Sequence, residues 1–430
     1  MDATPYHDWL ISLRRELHRR PEPAWCEFYT TARIVAELQN LGVDELHIGP
    51  DILAEGERAG VPDASVLEEW FDRASEYDVD ADVLSQLAGG YTGVLATVEQ
   101  GEGPTVALRV DIDGLPQRES DESMHHPQKE GFRSEHEGYM HACGHDAHAT
   151  IGLGVLRAVM DSDFKGTLKV LFQPAEEVIG GARPVAKSGH FDDVDALLAV
   201  HIGLDYATGE VVAGIGDFLA VSHFEAEFTG EPSHAGASPN KGRNAVQAMA
   251  TAVQNLYGIA RHKDGATRIN AGKVGGGTAP NIIPEHAFVH AEVRGESTEL
   301  MEYTRSRANR VLKSAATMHN CDVEIADGPD APSAESDQLL VNHVADVAST
   351  NNRVEELIER GALGGSEDAT YLMARVQEMG GVASYIGVGT DHPGGHHTAT
   401  FDVDEESLLI GVEVLAESIR RLGQPDSPLV

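Results

Sequence analysis

Three short apolar segments, each followed by polar side chains that can bind metal or move protons, constrain the fold most strongly. The segments are residues 105–110, 167–172 and 196–200. The polar groups that follow them are Asp111 and Asp113, Glu176 and Glu177, and His201. Helical patterns separate the segments, and buried strands that alternate with helices form parallel sheets with sites beyond their carboxyl ends. The sequence therefore predicts an α/β fold in which these side chains meet at one edge of a mixed, mostly parallel sheet.

Residues 141–148 contain the densest group of reactive side chains, with three histidines, one cysteine and one aspartate. Cys143 and His145 are two positions apart and would face the same side of an extended segment, with the small Gly144 between them. A thiolate and an imidazole suit a borderline transition metal. Metal binding is the favoured hypothesis. The alternatives are a cysteine–histidine nucleophile and buried side chains without a function.

From about residue 217 the pattern changes to strand–helix–strand–strand–helix–strand, the order of a ferredoxin-like (βαββαβ) unit. We expect this unit, residues 217–328, to be inserted into a larger metal-binding domain made of residues 1–216 and 329–430. An acidic, amphipathic stretch at residues 67–88 is predicted to be a helical insertion on the surface, and its role is open.

Five potential metal ligands follow the predicted strands or lie in loops: Cys143, His145, Glu177, His201 and one of His396 and His397. Because one tetrahedral ion needs only four ligands, two divalent ions that share a bridging ligand fit this set better. The Cys143 thiolate is the candidate bridge. Its softness favours Zn²⁺, the carboxylate also allows Mn²⁺, and Co²⁺ or Ni²⁺ are further alternatives.

Other side chains predict proton transfer and substrate binding. Of Glu176 and Glu177, one would bind metal and the other would take a proton from an activated water, although a solvated helix start is the alternative. His234 lies in a loop of the inserted unit and could donate to the oxyanion of a tetrahedral intermediate, or could simply be exposed. Arg294 could hold a carboxylate through two hydrogen bonds, or form a surface ion pair.

Six motifs together resemble the metal-dependent amidohydrolases of the aminoacylase/carboxypeptidase superfamily, within it the cysteine-containing branch of hippurate and auxin-conjugate hydrolases. The motifs are residues 14–18, 109–116, 141–146, 173–177, 233–236 and 365–368. The likeness covers nearly the whole chain. It implies a catalytic domain with an inserted lid or dimerisation domain. It also implies hydrolysis of the amide bond of an N-acyl or N-aroyl amino acid, with an aminobenzoyl-glutamate type of substrate as the best expectation.

The resemblance implies roles for individual residues. The implied metal ligands are Cys143, His145, Glu177, His201 and His397. The implied catalytic residues are Glu176, as general base, and His234; Asp113 would support the ligands, and Asn281 and Arg294 would meet the substrate. His397 is preferred to His396 because the family motif has a phenylalanine after three further residues, here Phe401. The family often has a histidine where this chain has Asp111, which removes one potential ligand and makes Cys143 more important.

The resemblance leaves the assembly and the exact role open. A homodimer, in which His234 serves the site of the partner, or pairing with a homologous subunit is expected. The alternatives to the favoured substrate are a general N-acyl-amino acid deacylase or carboxypeptidase activity. A different class of function is a non-catalytic metal-binding subunit of a hetero-oligomer.

The composition restricts the setting of the protein. The chain has 70 acidic and 32 basic residues and a formal net charge of −38, a sign that disfavours nucleic acid as a partner. No apolar run is long enough to span a membrane, and no signal peptide is visible at the start.

Three widely spaced cysteines do not predict disulfides, so we expect a cytoplasmic protein. Because high salt screens the repulsion among acidic residues, we hypothesise a salt-rich cytoplasm.

Overall fold

The computed structural model describes residues 1–425 and 427–429. They form two compact units. The larger unit comprises Met1–Gly216, Ala334–Leu363 and the chain from Asp368 onward, and the inserted unit comprises Asp217–Ser333 and Gly364–Glu367. The inserted unit thus continues past residue 328, where the sequence placed its end. It also includes a short return segment, because the Leu219 N–H donates to Gly365 O and the Ser366 hydroxyl donates to Leu219 O.

Twelve α-helices are present in the described residues. They are α1 (His7–His18), α2 (Phe28–Leu41), α3 (Ala64–Ser75), α4 (Ala81–Gln86), α5 (His126–Glu130), α6 (His145–Met160), α7 (Ala182–Ala186), α8 (Ala245–Leu256), α9 (Thr298–Met318), α10 (Gln338–Ala348), α11 (Thr370–Glu378) and α12 (Glu406–Leu422). Single turns of 3₁₀ helix occur at Thr4–Tyr6, Gly49–Ile52 and Pro239–Lys241.

Thirteen strands are present in the same residues. They are β1 (Glu45–Ile48), β2 (Val94–Glu99), β3 (Thr105–Asp111), β4 (Thr167–Gln173), β5 (Ala196–Ile202), β6 (Glu210–Gly216), β7 (Ala220–Thr229), β8 (Thr267–Gly276), β9 (His286–Gly295), β10 (Asp322–Ala331), β11 (Glu356–Ile358), β12 (Gly361–Ala362) and β13 (Val382–Val388).

The larger unit contains one mixed sheet with the order β1-β2-β4-β3-β5-β13-β6-β11, and β12 also pairs with β6. Its central strands β4, β3, β5 and β13 are mutually parallel. In this register Asp111 lies beside Gln173, and His201 lies beside Gly387. The carboxyl ends of the four strands therefore share one edge, and the predicted mixed, mostly parallel sheet is confirmed.

Helix α6 begins at this edge and packs closely in the core. Its residues are almost all buried, and its apolar side chains join those of α1 and α12 in one hydrophobic core. A Cβ at Gly154 would lie 2.6 Å from Val412 Cγ2 and 2.9 Å from Leu10 Cδ2, so no larger residue fits there without movement. The close approach of three helices at this point holds α6 in place within the core.

The inserted unit has the element order β7-α8-β8-β9-α9-β10, as predicted. Its four strands form an antiparallel sheet with the order β10-β7-β9-β8. Alternate residues of the strands, such as Phe224, Phe228, Val289 and Val293, are buried with α8 and α9 in a second hydrophobic core. The intervening residues point to the opposite, open face of the sheet.

The acidic stretch is helical, as predicted, and it forms two short helices. Helices α3 and α4 are separated at Asp80, whose carboxylate accepts the N–H groups of Asp82 and Val83 and so begins a new helix. Trp70 of α3 is buried and packs edge-on against His136 and Tyr139. No helix in the described part of the chain has the length and apolar character needed to cross a membrane.

Candidate metal centre

The turn before α6 places Cys143 and His145 against strand β5. Gly144 adopts a left-handed conformation with φ +85°, and a Cβ there would lie 2.5 Å from Ile202 Cγ2. Glycine is required at this point because other residues are strained at such a φ and would also clash. The turn brings Cys143 Sγ to 3.4 Å from Nε2 of His201.

The predicted ligands from separate loops converge on one cluster, in which Cys143, His145 and His201 are buried, Glu177 is partly buried and His397 is exposed. The groups whose donor atoms all lie within 4.8 Å of one another include Cys143–His145–His201, Cys143–Glu177–His397 and His145–Glu176–Glu177. Nε2 of His145 lies 3.9 Å from Glu177 Oε1, and Nε2 of His397 lies 3.6 Å from Glu177 Oε2. Shared members link these groups, an arrangement that suits more than one cation.

Both histidines of the last loop reach this cluster. Nδ1 of His396 lies 3.6 Å from Cys143 Sγ, and its Nε2 accepts the Leu204 N–H at 2.9 Å. His397 is more exposed, has φ +57°, and donates its N–H to Ala142 O while its ring faces Glu177. The choice of His397 over His396 as a ligand remains a prediction.

Asp113 organises the two glutamates and one histidine. Its carboxylate accepts the N–H of Glu176 at 3.1 Å and the N–H of Glu177 at 3.0 Å. The same group lies 3.3 Å from Nδ1 of His145. Because Asp113 accepts at Nδ1, Nε2 of His145 is the nitrogen that points into the cluster.

Asp111 and His148 support the centre next to His145. The sequence placed Asp111 beside the predicted site and His148 within the dense stretch 141–148, but it gave His148 no individual role. Asp111 accepts from Nδ1 of His148, and Nε2 of His148 accepts the Ile202 N–H at 2.8 Å. Burial opposes the charged form of Asp111, but His145 and Arg109 outweigh it, so its pKa is well below the usual value. Asp111 is therefore a buried carboxylate that stays ionised.

The donor atoms fit divalent cations. Burial holds the pKa of His201 well below the usual value, so this ring is neutral and able to bind metal. Nε2 of His145 is buried and makes no hydrogen bond within the described residues. A buried imidazole nitrogen beside a thiol and carboxylates is a site at which a cation would replace a missing partner.

Comparison with known proteins identifies the family. Residues 107–421 match Peptidase family M20/M25/M40. The chain belongs to this family. One subunit of the p-aminobenzoyl-glutamate hydrolase of Escherichia coli (strain K12) is 41% identical over 412 residues, covering 94% of each chain. The indole-3-acetyl-aspartic acid hydrolase of Enterobacter agglomerans is 42% identical over 408 residues, covering 94% of this chain and 93% of that one.

The fold of a solved relative agrees with this assignment. The crystal structure of an aminobenzoyl-glutamate utilization protein from Klebsiella pneumoniae is similar with a TM-score of 0.82 at 34% identity, over 98% of both chains. The resemblance found in the motifs is confirmed, and this M20-family chain is a metal-dependent amidohydrolase that uses divalent metal ions.

Two further predicted residues of the M20-family chain lie side by side in the inserted unit. His234 forms a bridge with Ile282, and the Ala235 N–H donates to Asn281 O at 2.9 Å. Nδ1 of His234 accepts the N–H groups of Gly236 and Ala237, each at 3.1 Å. The proton of the neutral ring is therefore assigned to Nε2, which becomes a hydrogen-bond donor on an exposed side chain.

Arg294 lies on the open face of the inserted sheet and is held by neighbours. Nε and Nη2 each donate to Glu292 at 3.0 Å, and Nη1 donates to Ser366 Oγ at 3.2 Å. The hydrogen bonds from His223 and Arg294 lower the pKa of Glu292 to about 2. Of the five guanidinium N–H donors, one on each terminal nitrogen remains for a ligand.

Sequence reasoning missed two acidic side chains, Glu27 and Asp368, that fix the loop containing Glu176 and Glu177. The Ala175 N–H donates to Glu27 at 2.7 Å. Asp368 accepts the N–H groups of Gly181 and Ala182, and it also pairs with Arg109. The motifs that contain Asp368 and Arg109 were recognised, but nothing in the sequence indicates that these two side chains meet.

Proposed function

We propose that this chain hydrolyses the amide bond between an acyl or aroyl group and an amino acid, with aminobenzoyl-glutamate as the type of substrate. The observation that carries this proposal is the convergence of a thiol, imidazoles and two glutamates at the carboxyl edge of one sheet. The names of two relatives above 40% identity support the substrate class, since both describe hydrolysis of an aromatic acyl group linked to an acidic amino acid.

The proposed metal ligands are Cys143, His145, Glu177, His201 and His397, and they would hold two divalent ions, with Cys143 as the proposed shared ligand. Zn²⁺ suits the thiolate and Mn²⁺ suits the carboxylate, so these are the proposed metals. A bound divalent ion lowers the pKa of a water molecule towards about 7 and polarises a carbonyl group.

Glu176 is the proposed general base. Its side chain is buried beside Nε2 of His145 at 3.9 Å, and its backbone is fixed by Asp113. It takes the proton of the attacking water and later returns it to the nitrogen of the leaving amino acid. Both transfers require a carboxylate that is close to the ligands and held in one orientation.

The proposed substrate-binding groups lie in the inserted unit. Nε2–H of His234 would donate to the oxygen of the scissile carbonyl as negative charge develops there, and Asn281 would assist it. Arg294 would bind the free carboxylate of the amino acid through its two remaining N–H groups. The assembly proposed is a homodimer or a pair of homologous chains. One relative is named as part of a hydrolase with more than one kind of chain, and another is named as its homologue.

The proposed setting is a reducing, salt-rich cytoplasm. Cys26, Cys143 and Cys321 are all buried and unpaired with one another. The formal charge of −38 provides the reason to infer high salt.

The test measures release of p-aminobenzoate from p-aminobenzoyl-glutamate by the purified chain loaded with Mn²⁺ or Zn²⁺. We expect turnover that chelation abolishes and metal restores. Glu176→Gln should lower kcat about 10²–10⁴-fold while the bound metal, measured by mass spectrometry, stays the same. Turnover only after addition of a second, homologous chain would favour the non-catalytic alternative, and wild-type kcat in the glutamine variant would refute the role of Glu176.

A further inference from the structure

Two arginines lie directly opposite each other on the open face of the inserted sheet. Arg268 of β8 is in register with Arg294 of β9. Residues in this relation point to the same face with Cβ atoms about 5 Å apart, and like charges placed so destabilise a sheet. The chain has only 32 basic residues against 70 acidic ones. A sheet shaped for stability alone would not place two of them opposite each other, and such local violations are expected at functional sites.

The two arginines differ in their neighbours. Glu292 neutralises Arg294, as the two hydrogen bonds between them show. Arg268 is exposed and forms no ion pair or side-chain hydrogen bond within the described residues. Its cross-strand neighbour is a second cation, and Asn270, two positions along the same strand, lies opposite Glu292. The pair therefore presents one uncompensated positive charge next to the two remaining N–H groups of Arg294.

We propose that Arg268 binds the side-chain carboxylate of the amino acid in the substrate while Arg294 binds its α-carboxylate, so that the enzyme selects N-acyl derivatives of glutamate or aspartate. This inference rests on the proposed function, and it adds a residue that determines specificity. An acidic amino acid has two carboxylates separated by a short carbon chain, which matches two guanidinium groups on neighbouring strands. Each carboxylate can accept charge-assisted hydrogen bonds from one arginine.

Binding of such a ligand also supplies the negative charge that Arg268 lacks. In the free sheet Glu292 already balances Arg294, whereas Arg268 has no acidic partner until the side-chain carboxylate of the substrate reaches it. A substrate with a neutral side chain leaves the positive charge of Arg268 without a partner. Such a substrate therefore gains no binding free energy from this residue. The difference in kcat/KM between an acidic and a neutral substrate should therefore depend on one residue, Arg268, so that substitution of this residue can test it.

The experiment compares two substrates of nearly equal size, p-aminobenzoyl-glutamate and p-aminobenzoyl-glutamine, on the metal-loaded full chain. Wild-type enzyme should prefer the glutamate compound in kcat/KM. Arg268→Gln should lower kcat/KM for the glutamate compound about 10- to 100-fold, the effect of losing one hydrogen-bonded charge pair, and change the glutamine compound less than about twofold. Arg268→Lys should give an intermediate preference, because the charge stays and the forked geometry is lost.

Arg310→Gln is the matched control, since Arg310 is exposed on α9 of the same unit and its loss removes the same charge. This variant should leave the preference for the glutamate compound over the glutamine compound unchanged. An equal fall with both substrates in Arg268→Gln, or no fall with either, would overturn the role of Arg268 while hydrolysis by the wild type still supports the proposed function. If the wild type hydrolyses neither compound with any of the metals, the proposed function fails and this inference fails with it.

Discussion

Glu27 acts on the metal centre through the backbone. Its carboxyl group is buried, accepts the Ala175 N–H at 2.7 Å and accepts the Thr92 hydroxyl at 2.6 Å. Ala175 has φ +57°, a left-handed conformation that is unfavourable for a residue with a Cβ. The hydrogen bond from Ala175 to Glu27 therefore holds a strained turn immediately before Glu176.

Removal of that acceptor should loosen the turn and misplace both glutamates. We expect Glu27→Leu to lower kcat about tenfold or more and to weaken metal binding, as measured by steady-state kinetics and metal titration. Glu27→Gln keeps an oxygen that can accept the Ala175 N–H, so this variant should retain most of the wild-type kcat. Thr92→Val, which removes the other partner of Glu27, is the control and should have the smaller effect. Equal losses in the leucine and glutamine variants would show that the bond to Ala175 is not what matters.

The contrast between Glu27 and Cys143 explains which residues sequence reasoning could find. Cys143 and His145 are recognisable because their chemistry and spacing already suit a metal. Glu27 is 148 positions away from Ala175, and its partner is a peptide N–H that every residue except proline has. A pairing of this kind has no signature in a single sequence, and only the fold reveals it.

At the scale of elements, helices α1 and α6 are joined by a buried cluster of charged side chains. Arg14 Nε and His18 Nδ1 each lie 2.8 Å from Asp146 Oδ2, and Nε2 of His18 lies 3.1 Å from Glu119 Oε1. Asp146 immediately follows His145. The cluster therefore anchors the first turn of α6, on which a proposed metal ligand lies, to the N-terminal helix.

This cluster predicts a dependence of stability on pH. Burial and Arg14 disfavour the charged form of His18, but Glu119 and Asp146 outweigh them and raise its pKa to about 9. Since an unfolded histidine has a pKa near 6.5, the charge on His18 stabilises the fold fully below about pH 6.5, and this stabilisation is lost as the pH rises through about 9. The free energy of unfolding lost in His18→Gln should therefore be largest near pH 6.5 and shrink, by an amount on the order of 1–3 kcal/mol, by about pH 9.5.

The measurement is denaturant-induced unfolding at constant high salt. His343→Gln provides the control, because burial lowers the pKa of His343 and this ring is neutral across the same range. Its effect on stability should not change with pH. A constant difference between wild type and His18→Gln over the whole range would contradict the assignment of charge to His18.

Elements were predictable where burial imposes a clear pattern. The central strands β3, β4 and β5 are apolar along nearly their whole length, so the sequence alone was enough to align their carboxyl ends. Strands β1, β11 and β12 were not predicted, because they are short, partly exposed and lie at or near an edge of the sheet. Strand β6 is buried but contains two glycines, which weaken the signal of a strand.

At the scale of the whole molecule, the surface charge decides the conditions under which the fold is stable. The excess of 70 acidic over 32 basic residues produces repulsion that favours expansion of the chain. Many of the acidic residues are exposed, as Glu68, Asp72 and Glu76 in and after α3 illustrate. Salt shortens the range of this repulsion, from about 10 Å at 0.1 M to about 3 Å at 1 M.

We therefore expect the thermal unfolding midpoint and the half-life of activity to rise steeply between about 0.1 M and about 2 M KCl. Sucrose is the control, because it favours the compact state by exclusion from the surface but does not screen charge. A variant with Glu68→Gln, Asp72→Asn and Glu76→Gln together should need less salt for the same midpoint, since three exposed charges are removed. A chain that stays folded and active for days in dilute buffer without salt or divalent ions would contradict the inference of a salt-rich setting. So would equal protection by KCl and by sucrose, because stabilisation would then come from exclusion rather than from screening of the acidic surface.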